Sequence, residues 1–185
     1  MCNGQCIQFG QSSLTPDEIK DKDILDVGAN DVNGSYKTYF IQHNPKSYIG
    51  VDIQSGNCVD KVCSVYDLVK EFGENSFDIV ISTEMMEHVE DWRLAISQMK
   101  KVLRPTGYIL ITTRSKGFGF HSYPDDFWRY ELKDMLEIFS DFKVWKLESD
   151  STEQPGVFIK AQKPSNNEWQ EKNLSQITLY RMEKP

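Results

Sequence analysis

The strongest constraint on this chain is an apolar run that breaks at a glycine and returns as a second apolar run ending in an acid. Ile24-Leu-Asp-Val-Gly28 opens it, the polar stretch Asn30-Asp-Val-Asn-Gly34 follows, and Tyr48-Ile-Gly-Val-Asp52-Ile53 closes it. Short apolar runs of this kind suit strands covered on both faces. Residues 34–42 read as a helix with Tyr36, Tyr39 and Phe40 on one side. Strand, tight turn, helix and parallel strand make a unit in which the backbone at Gly28 approaches a ligand and Asp52 accepts bonds from ribose hydroxyls. The chain is therefore expected to bind an adenosine-type cofactor.

The alternation continues. Residues 61–65 read as a weaker strand and 66–72 as a short helix. Residues 77–82 form a strand with an unbroken apolar centre. Residues 91–103 give the clearest helix, with Trp92, Ala95, Ile96, Met99, Val102 and Leu103 sharing a face. Arg104-Pro-Thr-Gly107 stops it, and 108–112 is the next strand. A glycine-rich aromatic loop covers 115–127, and residues 132–139 read as a helix. Strands at 142–147 and 156–162 are joined by a polar turn with no helical pattern, so they should form an antiparallel hairpin at the sheet edge. The expected fold is α/β: a doubly wound, mostly parallel seven-stranded sheet with a C-terminal antiparallel hairpin. Residues 1–22 are a lead-in in which Thr15-Pro-Asp-Glu18 has the signature of a helix start, 23–163 the main domain, and 164–185 a polar tail. That tail is either mobile or docked through Trp169, Leu174, Ile177, Leu179 and Tyr180.

With 185 residues the chain is one domain by size. Its net charge of −7, without a Lys/Arg cluster, argues against nucleic acid as the main partner. No run approaches the roughly 20 apolar residues of a membrane span, and the start does not read as a signal peptide. The expected location is the cytoplasm, with a small-molecule partner and no membrane; a homodimer stays open. Cys2, Cys6, Cys58 and Cys63 are spaced more loosely than usual zinc ligands, so reduced structural thiols and no metal are expected.

Four segments in order resemble the class I S-adenosylmethionine-dependent methyltransferases. They are Ile24-Leu-Asp-Val-Gly28, Tyr48-Ile-Gly-Val-Asp52, Asn75-Ser-Phe-Asp-Ile-Val-Ile-Ser82 with Glu87-His-Val89, and Met99-Lys-Lys-Val-Leu-Arg-Pro-Thr-Gly-Tyr-Ile-Leu-Ile111. The family loop is D-x-G-x-G-x-G; here Asp26 and Gly28 are kept, while Asn30 and Val32 stand at the second and third glycines. Asn tolerates left-handed backbone angles, so Asn30 is expected to stand in for glycine. A second segment, His121-Ser-Tyr-Pro-Asp-Asp126-Phe-Trp-Arg129, resembles the H-x-Y-P-x-D-x-W-R stretch of a small subgroup, some of whose members act on surface polysaccharides and secondary metabolites.

The resemblance implies transfer of a methyl group from S-adenosylmethionine to an O or N of a small molecule. It implies that Asp26, Gly28, Ala29 and Asn30 frame the methionine part, that Asp52 binds the ribose, and that Ile53 lies against adenine. Ser64 and Val65 would meet the adenine amino edge, and Thr83 and Glu84 would close the sulfonium side. Methyl transfer is an in-line displacement, so alignment and exclusion of water carry most of the task. A hydroxyl or ammonium acceptor must also lose a proton. His121 is the best candidate base, its ordinary pKa of about 6.5 suiting proton removal near neutrality; His88 is a weaker one. Asp126 either orients His121 or pairs with Arg129. Tyr123, Trp128 and Arg129 are candidate substrate contacts, although Trp128 as packing and an Asp126–Arg129 pair are an equally simple reading. Two other readings remain: a non-catalytic module that kept the fold, and a nicotinamide-dependent oxidoreductase, which lacks the G-x-G-x-x-G order.

Overall fold

The computed structural model describes residues 4–32, 34–122, 124–151, 153–165 and 168–184. Among them nine strands form: β1 (Asp23–Val27), β2 (Ser47–Asp52), β3 (Lys61–Val62), β4 (Phe77–Thr83), β5 (Leu103–Arg114), β6 (Trp128–Arg129), β7 (Lys143–Ser149), β8 (Gly156–Gln162) and β9 (Tyr180–Arg181). Seven of them make one sheet in the order β3-β2-β1-β4-β5-β8-β7. The first five run parallel; β8 lies antiparallel to β5 and to β7. This is the doubly wound sheet with a terminal hairpin read from the sequence.

Side-chain alternation along the strands builds two cores. Leu25, Val27, Val80, Ile109, Ile111, Val157 and Ile159 belong to one cluster; Ile24, Ile79, Ile81, Leu110 and Phe158 belong to the other. Both sets are buried, so the unbroken apolar runs reflect a sheet covered on each face. The first core is covered by α4 (Leu68–Phe72), α5 (Trp92–Val102) and α6 (Leu132–Ile138), the second by α1 (Gly4–Ser13), α2 (Pro16–Ile19) and α3 (Lys37–Ile41). Trp92, Ala95, Ile96, Met99 and Val102 on the apolar face of α5 are all buried; Leu103, read as the sixth, is buried too but already belongs to β5. Asp91 caps this helix by accepting the Leu94 N–H at 3.1 Å. Thr15 and Glu18 close a reciprocal capping box over α2, with Pro16 in the first turn.

Two strand bounds are corrected, and the lead-in gains a helix. The lead-in contains α1, whose Cys6 and Phe9 are buried in the second core and whose Gly10 lies flat against the Tyr36 ring, where a Cβ would not fit. Its polar, glutamine-rich sequence gave little periodicity to read. The third strand is only two residues long, because the Ser64 hydroxyl accepts the Tyr66 N–H at 3.2 Å and turns the chain into a 3-10 turn at Val65–Asp67. The strand read at 108–112 begins earlier, at Leu103, so that Arg104-Pro-Thr-Gly107 is part of β5. Leu103 already pairs with Phe77, and after an irregularity the ladder resumes at Tyr108 with Ile79.

The tail is docked. Leu174, Ile177 and Leu179 are buried in the first core, whereas Tyr180 is exposed. Arg93 holds the turn through the Leu174 and Ile177 carbonyls at 3.0 and 2.5 Å. Lys100, with no exposed surface, donates to Asp141 at 2.6 Å, and the second Asp141 oxygen accepts the Trp169 indole N–H at 3.0 Å. β9 then pairs antiparallel with β6, a contact the sequence did not suggest. No helix among the described residues is long and apolar enough to cross a membrane.

Candidate active site

A cavity of about 300 Å³ opens beyond the carboxyl ends of β1, β2, β3 and β4. Open α/β sheets bind ligands at this end of their strands. Of the expected cofactor residues, Asp26, Gly28, Ala29, Asn30, Asp52, Ile53, Val65, Thr83 and Glu84 line it. Ser64 does not; its hydroxyl is the cap described above.

Gly28 makes the turn at a φ of 80°, and its N–H and that of Ala29 both donate to the Val51 carbonyl, at 2.9 and 3.0 Å. A Cβ there would stand 2.8 Å from the Met85 side chain, so Gly28 needs both its backbone freedom and its lack of a side chain. Asn30 does not replace a glycine through a left-handed backbone: the loop's positive-φ positions among the described residues are Gly28 and Gly34. Asn30 instead donates its N–H to Asp52 at 3.3 Å and sets its amide against Gly56. Gly34 donates to the Asp31 carboxylate at 2.7 Å, which forms the bend one turn later. Asp52 also accepts the Gln54 N–H at 3.1 Å, so two loops fix its carboxylate at the cavity edge. Ile53 is largely exposed beside it.

Asp26 is buried; one oxygen accepts the Tyr48 hydroxyl at 2.7 Å, while the other has no hydrogen-bond partner. Burial pushes its pKa up to about 6, against the lowering effect of Tyr48 and Lys37. Glu84 has a φ of 53°, uncommon for a residue with a side chain, and is buried against Arg114, which also reaches Asp150 at 3.3 Å.

The opposite wall is built by the segment after β4 and by the loop before β6. Glu87 is fully buried; its Oε2 accepts the Thr113 hydroxyl at 2.9 Å and its carbonyl accepts the Phe127 N–H. The His88 Nδ1 lies 2.5 Å from the Asp125 carbonyl. His121 lies with its ring centroid 4.8 Å from that of His88, and both line the cavity. Asp126 pairs with Arg129 at 2.5 and 2.7 Å and accepts the His121 backbone N–H at 2.8 Å; the His121 ring Nδ1 stands 3.2 Å from it without a hydrogen bond. Burial alone would raise the Asp126 carboxyl, but the Arg129 and His121 bonds outweigh it and hold the pKa below the usual range. Burial lowers the His121 pKa below its ordinary value, with His88 acting in the same sense and Glu87 and Asp126 opposing.

Arg129 and Trp128 stand outside the cavity lining. Arg129 is buried and also donates to the Phe118 and Gly119 carbonyls, so it braces the loop. The Trp128 indole donates to the Val89 and Glu90 carbonyls at 3.1 and 3.0 Å, locking β6 to the segment after β4. Tyr123 lies outside the described residues. Residues not singled out for the site also line it, among them Cys63, Met85, Val89, Ser122 and Pro124. Glu87 was visible only as part of a family segment; an acid and a histidine side by side just after a buried strand were the signal. Cys6 and Cys63 belong to the clusters on opposite faces of the sheet, which separates them as metal ligands, and Cys2 lies outside the described residues.

The family model described as "Methyltransferase domain" matches residues 6–149. Among curated proteins, phosphoethanolamine N-methyltransferase 2 of Caenorhabditis elegans is 41% identical over 77 residues, covering 38% of this chain and 17% of that protein. The human mitochondrial ubiquinone biosynthesis O-methyltransferase is 34% identical over 110 residues, covering 50% and 29%. The chain thus spans less than a third of the length of either relative. Among solved structures, the 1,6-didemethyltoxoflavin N1-methyltransferase of Burkholderia thailandensis, with its substrate and S-adenosylhomocysteine bound, superposes with a TM-score of 0.66 at 17% identity, covering 86% of this chain and 78% of that one. A match over most of the chain, on a sheet of this order with the glycine turn and strand-end acid in place, settles the family: the chain belongs to the methyltransferase-domain family.

Proposed function

We propose that this chain is an S-adenosylmethionine-dependent methyltransferase acting on an oxygen or nitrogen of a small molecule. The observation that carries the reading is the cavity's two unlike ends. At one, Gly28, Asp26 and Asp52 surround a space suited to a nucleoside bearing an amino acid; at the other, two imidazoles face a buried carboxylate. In this reading the unpartnered oxygen of Asp26 meets the ligand ammonium, Asp52 the ribose hydroxyls, and Ile53 and Val65 the adenine faces; their positions along the cavity support it. Thr83 and Glu84 close the cavity beside the methyl group.

The sulfonium supplies an activated methyl carbon and a neutral thioether leaving group. The chain's residues hold the acceptor in line with it and exclude water. His121, kept neutral by burial, takes the acceptor proton at a ring nitrogen, while Asp126 holds its backbone N–H and stands beside the ring. The family's relatives include both O- and N-methyltransferases. The loop from His121 to Arg129 favours a glycan or secondary-metabolite acceptor by its likeness to that subgroup. The cytoplasm is the proposed compartment, in keeping with free thiols at Cys58 and Cys63.

The test is thermal stability with S-adenosylmethionine, S-adenosylhomocysteine and NAD in parallel. Ligand at 100 times its dissociation constant adds about 2.7 kcal/mol, which raises the Tm of a domain of this size by roughly 5–10 °C. A rise with both sulfur ligands and not NAD is expected; no rise with either would end the proposal.

A further inference from the structure

We infer that Glu87, His88 and His121 form a binding site for one divalent transition-metal ion at the acceptor end of the cavity. The site stands on its own geometry, while its role in activating an acceptor rests on the methyl-transfer reading above.

One ligand atom from each of the three residues lies within 4.8 Å of the others. The Glu87 Oε1 is buried and has no hydrogen-bond partner, although its sister oxygen is held by Thr113. A fully buried carboxylate oxygen left in this way is costly unless something positive meets it. The two histidines both face it. His88 has its Nδ1 on the Asp125 carbonyl, whereas His121, with its Nδ1 3.2 Å from the Asp126 carboxylate, makes no hydrogen bond through either ring nitrogen. Their Nε2 atoms stand 3.9 and 3.8 Å from Glu87 Oε1, for His88 and His121 respectively. Those separations are too long for hydrogen bonds. They are close to what an ion between them produces, since bonds of about 2.0–2.1 Å place tetrahedral ligand atoms about 3.3 Å apart. Closing the difference takes a small rotation of His121, which sits on a loop and is the most exposed of the three.

An oxygen behind a ligating imidazole is the usual support of a metal site, because it fixes the tautomer and aims the free nitrogen; the Asp125 carbonyl supplies it for His88. Two imidazoles and one carboxylate suit zinc, cobalt, manganese or iron better than magnesium or calcium, which prefer oxygen sets. Three protein ligands also leave a position open, and His88 and His121 line the cavity. An acceptor hydroxyl coordinated there would release its proton to solvent near neutral pH. The resulting oxygen attacks the methyl carbon as the carbon–sulfur bond breaks, its electron pair passing to sulfur. His121 thus serves as the base in the metal-free chain and as a ligand when the ion is bound.

The experiment is a titration of the chelator-stripped protein with Zn²⁺ in competition with a chromophoric chelator, and with Co²⁺ followed by visible absorption. One ion per chain is expected, with Co²⁺ d–d bands and no thiolate charge-transfer band. His121→Ala, a loop substitution, and Glu87→Gln should each weaken binding by at least tenfold, while Cys58→Ser and Cys63→Ser leave it unchanged. No stoichiometric binding, wild-type affinity in His121→Ala, or dependence on the cysteines overturns the site. S-adenosylmethionine is titrated into the same stripped protein: cofactor binding without metal binding removes only the site, and metal binding without cofactor binding removes only the methyl-transfer reading.

Discussion

Arg129 grips both oxygens of Asp126, at 2.5 and 2.7 Å, and neither side chain reaches solvent appreciably. The same carboxylate accepts the His121 N–H, so one ion pair joins the brace of the loop to its chemical group. The loop's glycines and aromatics give it little periodic structure of its own. Its geometry is imposed from beneath by this pair and by the carbonyls of Phe118 and Gly119.

Removing Arg129 therefore leaves a buried, uncompensated carboxylate. Arg129→Ala is expected to cost about 3–5 kcal/mol of stability, measured by urea unfolding. Arg129→Lys keeps the charge but loses the two-pronged geometry, and should fall between the two. A loss below 1 kcal/mol in Arg129→Ala would mean that the pair is solvated in solution.

Burial lowers the His121 pKa, which sets the direction of its pH behaviour. The neutral ring persists below pH 6.5, so the acid limb of kcat/KM should lie on the acid side of that value. In the folded state the proton is bound less tightly than in the unfolded chain; stability therefore falls as pH drops from 6.5 through the folded value. His121→Gln should flatten the acid limb. An unchanged profile in that variant removes His121 from the proton path.

Asp26 titrates in the other sense. Its pKa rises from 3.8 to about 6 on folding, so the folded state holds the proton more tightly. Its contribution is fully present below about pH 4, is lost as pH rises to about 6, and is flat above. The difference corresponds to about 3 kcal/mol at most. Asp26→Asn should accordingly be more stable than the parent at pH 7 and equal to it at pH 4. S-adenosylmethionine affinity should rise between pH 5 and 7 in the parent and stay flat in Asp26→Asn, as isothermal titration at both pH values can read.

Much of the fold was legible because its carriers are local. The apolar centre of the strand at residues 77–82, the helical face from Trp92 to Val102, and the polar turn before Gly156 each announce their state without knowledge of the rest. The glycine turn and Asp52 were legible for the same reason, since both sit at strand ends. What escaped depends on partners distant in sequence. The β6–β9 pairing joins residues about fifty apart, through two-residue strands with no alternation to read. Arg129 and Trp128 drew attention as an arginine and a tryptophan in a loop. Only three dimensions show that one is consumed by Asp126 and backbone carbonyls and the other by Val89 and Glu90. Glu87 became a site residue only when the loop brought His121 against it.

Asp52 offers a cleaner separation of binding from stability. Its carboxylate accepts two backbone N–H groups, from Asn30 and Gln54, at a partly exposed position. Asp52→Ala loses bonds that water can replace, so a stability loss of about 1 kcal/mol or less is expected. Affinity for S-adenosylmethionine should fall at least tenfold, because the ribose hydroxyls lose their acceptor. Equal losses in melting temperature and in binding would make Asp52 a structural residue.

The docked tail ties the reactive loop to the core. β9 pairs with β6, Met182 donates its N–H to the Phe127 carbonyl at 2.8 Å, and Lys184 meets Asp125 at 2.9 Å. Asp125 in turn supplies the carbonyl that holds the His88 ring. Ending the chain after Leu179 deletes these contacts but keeps Leu174, Ile177 and Leu179 in the core. The exposed ion pair and short ribbon contribute little to global stability. The truncated chain should therefore unfold within about 1–2 kcal/mol of the parent. Turnover is expected to fall at least tenfold, since a loosened loop misplaces His121 and small misplacements are costly in an in-line transfer. Cofactor affinity should be nearly unchanged, because Gly28 and Asp52 lie on the other wall. Full turnover in the truncated chain would show that Asp126, Arg129 and the indole bonds of Trp128 hold the loop without the tail.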